Sequence, residues 1–214
     1  MKYLQPEPDR NLFDGHDYEF LRTFYNGMMP VEQPALLYFE QLNPIELWVS
    51  EMIQGGNLLD VGCANARFLL YLAVNGRIEY GTGIDISDEM IANAQKGTSA
   101  HSLKNLSFIR GEFENLTFAD YYNYISMNDI LEHFYSPFNV IERIPYLLES
   151  NGQFVGMVPY WKDCDHRVHL HYFTPESLRE LLSNFFKDIT IKVFECYPGD
   201  RSRTERKIAW RAKI

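Results

Sequence analysis

Cysteine is scarce. Cys63, Cys164 and Cys196 are the three in a chain of 214 residues, and no two form a C-x-x-C pair. An odd, widely spaced set excludes a disulfide framework and a zinc ribbon. It fits a reducing compartment, so a cytoplasmic protein is expected. Positive charge is short as well: 20 Lys and Arg stand against 29 Asp and Glu, a formal net charge of -9. Such a chain lacks the basic footprint of a nucleic-acid binder and the basic patch that attaches proteins to anionic membranes. Neither partner is expected. No apolar run approaches the ~20 residues of a membrane span. The stretch Met1 to Asp14 has no apolar h-region, so no signal peptide is expected.

What is present is ordinary globular material, 46% apolar and 23% charged, with fourteen Tyr and fifteen Phe. This length supports one core without staples. The first fifteen residues read as a loose arm broken by Pro6, Pro8 and Gly15. From His16 the spacing is helical, with Phe20, Leu21, Phe24 and Tyr25 on one face; Gly27 and Pro30 stop it. A second helical pattern runs from about Glu32 to Ile53, with an interruption before Pro44. Gly55-Gly56 then punctuates the chain.

Beyond that point strands and helices alternate. Strands are expected at Asn57–Val61, Glu79–Ile86, Asn105–Arg110, Tyr122–Met127 and Gly152–Val158. Helices are expected at Asn65–Val74, Ser87–Lys96 and Pro137–Leu148, with another opened by Thr174 and Pro175. Ile189–Cys196 and Arg206–Ile214 form a terminal hairpin about the Pro198-Gly199-Asp200 turn. This order predicts an α/β fold, a doubly wound parallel sheet covered on both faces, with at least one antiparallel strand at its end.

In such a sheet, ligands bind outside the carboxyl ends of the strands. After the first strand comes Asp60-Val61-Gly62-Cys63-Ala64-Asn65-Ala66-Arg67. A dinucleotide fingerprint would need glycine at 62, 64 and 67, but Ala64 and Arg67 are not glycine. Asp60 would also repel a pyrophosphate. A cationic, phosphate-free nucleoside such as S-adenosyl-L-methionine suits the loop better. The small residues let backbone approach it, and Asp60 attracts its positive end. Asp85 ends the second strand, where a carboxylate can accept from both ribose hydroxyls. Glu112 follows the third strand and can accept from an adenine amine, while Phe113 can stack on the ring. Asn128 and Asp129 follow the fourth. Together these groups make an electronegative crevice.

The motifs resemble those of the class I S-adenosylmethionine-dependent methyltransferases, in the branch that acts on small molecules. Leu58 to Ala66 resembles the glycine-rich first motif of that family and Gly83 to Met90 its second. Phe108 to Glu114 is similar to the third, Asn128 to His133 to the fourth, and His171 to Leu178 to a segment common in the branch. The resemblance spans roughly residues 55 to 214. It implies a Rossmann-like doubly wound seven-stranded mostly parallel sheet in the order 3-2-1-4-5-7-6, the seventh strand antiparallel. Residues 1–54 would be an N-terminal arm and helical lid, and 55–214 the cofactor-binding domain. It also implies S-adenosyl-L-methionine as donor, S-adenosyl-L-homocysteine as product and a small-molecule acceptor. Asp60, Gly62, Cys63, Ala64, Asp85, Ile86, Glu112, Phe113, Asn128 and Asp129 would contact the cofactor. The family usually carries glycine where Ala64 and Ala66 stand, and alanine is costly there if φ is positive. That departure keeps a non-catalytic protein of the same fold, binding donor or product without transfer, as the alternative.

His133, just past the fourth strand, is the candidate catalytic base. Asp129, Glu132 and His133 put three hard or borderline metal ligands within five residues. A solvated acidic turn is the favoured reading, and no metal is assigned. His166, His169 and His171 alternate along a segment read as a surface loop. Arg67 reads as a solvated helix residue. The lid aromatics, Tyr25 among them, read as core, and Tyr160 and Trp161 as acceptor contacts.

Overall fold

The structure is a computed structural model describing residues 18–26, 42–161, 168–196 and 205–214. Helices α1 (Tyr18–Asn26) and α2 (Pro44–Glu51) precede a regular alternation. It runs β1 (Asn57–Val61), α3 (Arg67–Val74), β2 (Tyr80–Asp85), α4 (Asp88–Ala100) and β3 (Leu106–Arg110). Then come β4 (Tyr122–Asn128), α5 (Pro137–Arg143), β5 (Leu148–Pro159), α6 (Pro175–Ser183), β6 (Asp188–Cys196) and β7 (Glu205–Lys213). The strands form one sheet in the order β3-β2-β1-β4-β5-β7-β6. β1 to β5 pair in parallel where they are neighbours. β7 runs antiparallel to both β5 and β6. This is the expected topology.

The period of two in a strand decides which face each residue covers. Leu59 and Val61 join Ile125, Met127, Phe154 and Trp210 in one core. Leu58 joins Ile45, Val49, Leu69 and Leu72 in the other. α2 therefore packs as a core helix. Asn43 caps it through the amides of Ile45 and Glu46, Glu46 returns the bond to the Asn43 amide, and Pro44 opens the first turn.

The elements differ from expectation in local detail. The helix expected to run to Leu148 ends at Arg143, and a short 3-10 turn over Ile144–Tyr146 follows. Pro145 has no amide to continue the helix. β5 begins at Leu148 rather than Gly152. Arg67 is not a solvated residue: it pairs with Glu46, whose side chain is 8% exposed, and so ties α3 to α2. The arm, residues 27–41, Cys164, His166 and the 198–200 turn lie outside the described residues. Among the described residues no helix is long and apolar enough to cross a membrane.

Candidate active site

The carboxyl ends of β1 to β4 surround a cavity of about 270 Å³, over which α1 lies. Of the expected site residues, Gly62, Ala64, Asp85, Ile86, Glu112, Phe113, Asn128, Asp129 and His133 line it. Asp60 and Cys63 do not. Val61 faces the cavity, so strand alternation turns Asp60 to the opposite face. There Asp60 is 3% exposed and accepts a 2.6 Å hydrogen bond from the Ser126 hydroxyl. Burial pushes its carboxyl up to about 7; the Ser126 bond pulls it back and the Asp85 charge adds to the rise. Cys63 is buried in the core on that side, and burial pushes its thiol well up.

The first loop folds over β2. The amides of Gly62 and Cys63 both donate to the Ile84 carbonyl, at 2.8 and 2.9 Å. Gly62 has φ +74°, and a Cβ there would lie 2.6 Å from the Ile130 side chain. Only glycine suits both conditions. Ala64 and Ala66 also sit in the left-handed region, at φ 48° and 62°. This is the costly case for alanine, about 1–2 kcal/mol each.

Asp85 holds that loop in place. One carboxylate oxygen accepts from the Ala64 amide and the other from the Ser87 amide, both at 2.9 Å. Burial raises its carboxyl, and backbone donation opposes the rise. The Ile86 amide also donates to this carboxylate, whose two oxygens still have accepting capacity for a ligand. Glu112 accepts from the Asn115 side-chain amide. Phe113 is 2% exposed, with the Arg143 guanidinium 4.8 Å from its ring centroid. The Asn128 side-chain amide is buried, and neither its nitrogen nor its oxygen has a hydrogen-bond partner among the described residues.

His133 stands on a 3-10 turn, Leu131–His133, directly after β4. Its Nδ1 lies 2.9 Å from the Val168 carbonyl. A carbonyl only accepts, so Nδ1 carries a proton, and the tautomer that places it there has its lone pair on Nε2. The Tyr25 hydroxyl lies 3.2 Å from Nε2. Burial, with Glu132 and then Asp85 and Asp129, raises the Tyr25 phenol and keeps it a donor. Tyr25 and Leu21 share a face of α1 and both line the cavity. Tyr25 is thus a site residue rather than the core aromatic expected; an i, i+4 apolar pair carries no signal that separates the two.

The acidic turn is not solvated. Glu132 is 1% exposed, and neither carboxylate oxygen accepts a hydrogen bond from the described residues. Burial drives its carboxyl well up, and Asp129 adds to this. Asp129 pairs with Lys207 through one oxygen; the other is buried and without a partner among the described residues. The histidines downstream separate. The His169 ring packs edge-on against His133, centroids 4.9 Å apart. His171 turns away, its Nε2 lying 3.2 Å from the Tyr135 carbonyl. Tyr160 and Trp161 are not among the cavity's lining residues: Tyr160 lies under the Arg206 guanidinium and Trp161 packs near Tyr172.

Residues 54–188 match the family model described as "Methyltransferase domain". The chain is 29% identical over 116 residues to the ubiquinone biosynthesis O-methyltransferase of Coxiella burnetii, covering 52% of this chain and 48% of that protein. It is 27% identical over 146 residues to the fatty-acid O-methyltransferase of Mycolicibacterium smegmatis, covering 65% and 52%. The chain thus spans about half the length of the curated relatives it matches. Its fold is similar to that of Haemonchus contortus phosphoethanolamine N-methyltransferase 2 in complex with S-adenosyl-L-methionine. There the TM-score is 0.66 at 13% identity, over 78% of this chain and 51% of that one. With the family model covering more than half its length, the chain belongs to the methyltransferase domain family.

Proposed function

We propose that this protein transfers a methyl group from S-adenosyl-L-methionine to a small-molecule acceptor and releases S-adenosyl-L-homocysteine. One observation carries the reading. At the end of β4, Asn128 lines the cavity, and its buried side-chain amide has its hydrogen-bonding capacity unused by the described residues. Such a group is costly unless a ligand satisfies it. An amino-acid-bearing nucleoside offers both a donor and an acceptor to it.

The remaining residues fit the same ligand. Asp85 has lone pairs for the ribose hydroxyls, and Glu112 can accept from the adenine amine. Ile86, Met90 and Phe113 give the base an apolar bed. Asp60 lies on the far side of β1 and is not among the residues that line the cavity. The donor, when bound, supplies a methyl carbon already activated by its sulfonium. The chain orients, excludes water and manages a proton. Leu21 and Tyr25 close the cavity from above. His133 offers an Nε2 lone pair at the cavity wall, able to take a proton from an acceptor that displaces the Tyr25 hydroxyl. The acidic balance supports a small acceptor over a nucleic acid, and the scarcity of cysteine supports a cytoplasmic setting.

Calorimetric titration with S-adenosyl-L-methionine and S-adenosyl-L-homocysteine tests the donor. Saturable binding is expected, and no heat at millimolar ligand overturns it. Release of S-adenosyl-L-homocysteine in the presence of hydroxyl- and amine-bearing acceptors then separates transfer from binding alone.

A further inference from the structure

We propose that Glu132, His133 and His169 form a binding site for one divalent transition-metal ion at the edge of the cavity. One ligand atom from each lies within 4.8 Å of the other two. Ligands about 2.0–2.2 Å from a common metal stand roughly 3–4 Å apart. The 3.8 Å between His133 Nε2 and the nearer Glu132 oxygen falls in that range.

The second observation is the state of the carboxylates. Glu132 is 1% exposed with both oxygens lacking a hydrogen bond, and the inner oxygen of Asp129 is also buried and unpartnered among the described residues. Buried carboxylates normally find a donor, a cation or a metal. Lys207 bonds the outer oxygen of Asp129, and its charge reaches Glu132 without a hydrogen bond to it. Among the described residues no side chain donates to Glu132.

The arrangement is also held rigid from outside. The Glu132 carbonyl accepts from the amides of Leu170 at 2.9 Å and His171 at 3.2 Å, which clamps the His169 segment to the turn. Nδ1 of His133 is committed to the Val168 carbonyl, which aims Nε2 inward. Backbone support of this kind fixes tautomer and ring orientation in metal-binding histidines. Two imidazoles and one carboxylate favour Mn²⁺, Fe²⁺, Co²⁺ or Zn²⁺ over Mg²⁺ or Ca²⁺, which prefer all-oxygen shells. A metal at Nε2 occupies the lone pair that base chemistry requires. Metal-loaded protein therefore uses His133 as a ligand and not as a base.

The test uses the full chain, stripped with a chelator and titrated separately with Mn²⁺ and Zn²⁺ by calorimetry, with metal content measured after desalting. One equivalent per chain is expected, with a higher unfolding temperature in excess metal. His169→Ala and Glu132→Gln should each weaken binding by more than the about 10–100-fold typical of losing an outer partner. Thermal unfolding of each variant verifies that it is folded, and His169, only half-buried, is the safer replacement. No uptake by the parent at millimolar metal, or affinity unchanged in His169→Ala, overturns the site. S-adenosyl-L-homocysteine is titrated into the same stripped samples. Product binding without metal uptake overturns the metal site alone, and metal uptake without product binding overturns the donor reading alone.

Discussion

Asp60 and Ser126 face each other across β1 and β4, and the serine hydroxyl donates to the carboxylate at 2.6 Å. One hydroxyl does not replace the water lost on burial, so the Asp60 carboxyl sits at about 7 against an ordinary 3.8. The sign of the consequence follows from linkage. Between these values the folded state holds a proton that the unfolded state has released. The contribution of Asp60 to stability is thus fully present below pH ~4, falls as pH rises and levels off above ~7, a loss on the order of 4 kcal/mol. Chemical denaturation from pH 4 to 8 should show this decline in the parent. Asp60→Asn should remove most of it, and an identical slope in the variant would mean that Asp60 is already ionised at low pH.

Ala64 and Ala66 give a paired test of backbone strain. Both hold left-handed φ, but Ala64 is exposed whereas Ala66 is fully buried. Replacing Ala64 by glycine relieves about 1–2 kcal/mol of strain and returns about 0.4–1 kcal/mol through the freer unfolded chain. A net gain is expected, seen as a higher denaturation midpoint. Ala66→Gly also gives up a buried methyl, worth about 0.8 kcal/mol, and should be near neutral. Equal gains at the two sites would mean that strain relief outweighs packing at both.

Much of the architecture is legible in the sequence because it depends on period and punctuation. The alternation of strands and capped helices sets the sheet, and a loop at a strand end must lie near its neighbours' ends. That is why Gly62, Asp85, Glu112 and Asn128 meet at one cavity. What is not legible depends on parity and long-range burial. Asp60 and Val61 are adjacent in sequence, yet only Val61 faces the cavity. Glu132 looks like a solvated turn acid until the 168–171 segment covers it through contacts nearly forty residues away. Tyr25 reads as core because its partner, His133, is 108 residues distant.

Asp85 and Glu112 should differ in weight. Asp85 ties the first loop, through the Ala64 amide, to the start of α4, through the Ser87 amide, and lines the cavity at once. Asp85→Asn exchanges an acceptor for a donor, leaving one amide opposed by a like group. Product affinity measured by calorimetry should fall by about 1–3 kcal/mol, the range for a lost charge-assisted bond. Glu112 already serves Asn115 and is held at one end only. Glu112→Gln should cost less than Asp85→Asn, and the reverse order would move the centre of donor recognition to β3.

Gly156 fixes how closely β4, β5 and β7 can pack. A Cβ there would overlap the Met127 carbonyl oxygen and lie 2.6 Å from the ring of Trp210, its partner across the β5–β7 pair. The ring can shift, but the carbonyl belongs to the neighbouring strand's backbone and cannot move without breaking the ladder. Gly156→Ala should therefore cost at least the upper end of the about 1–3 kcal/mol typical of overpacking. Trimming Trp210 to leucine alongside it should not restore stability, because the backbone clash persists. Gly76 is the control: its φ is +64°, but a Cβ there would meet nothing within 4 Å. There Gly76→Ala should cost the strain of left-handed alanine, about 1–2 kcal/mol, less the about 0.4–1 kcal/mol returned by the stiffer unfolded chain. If the two substitutions cost the same in urea denaturation, the tightness at Gly156 is not what limits this sheet.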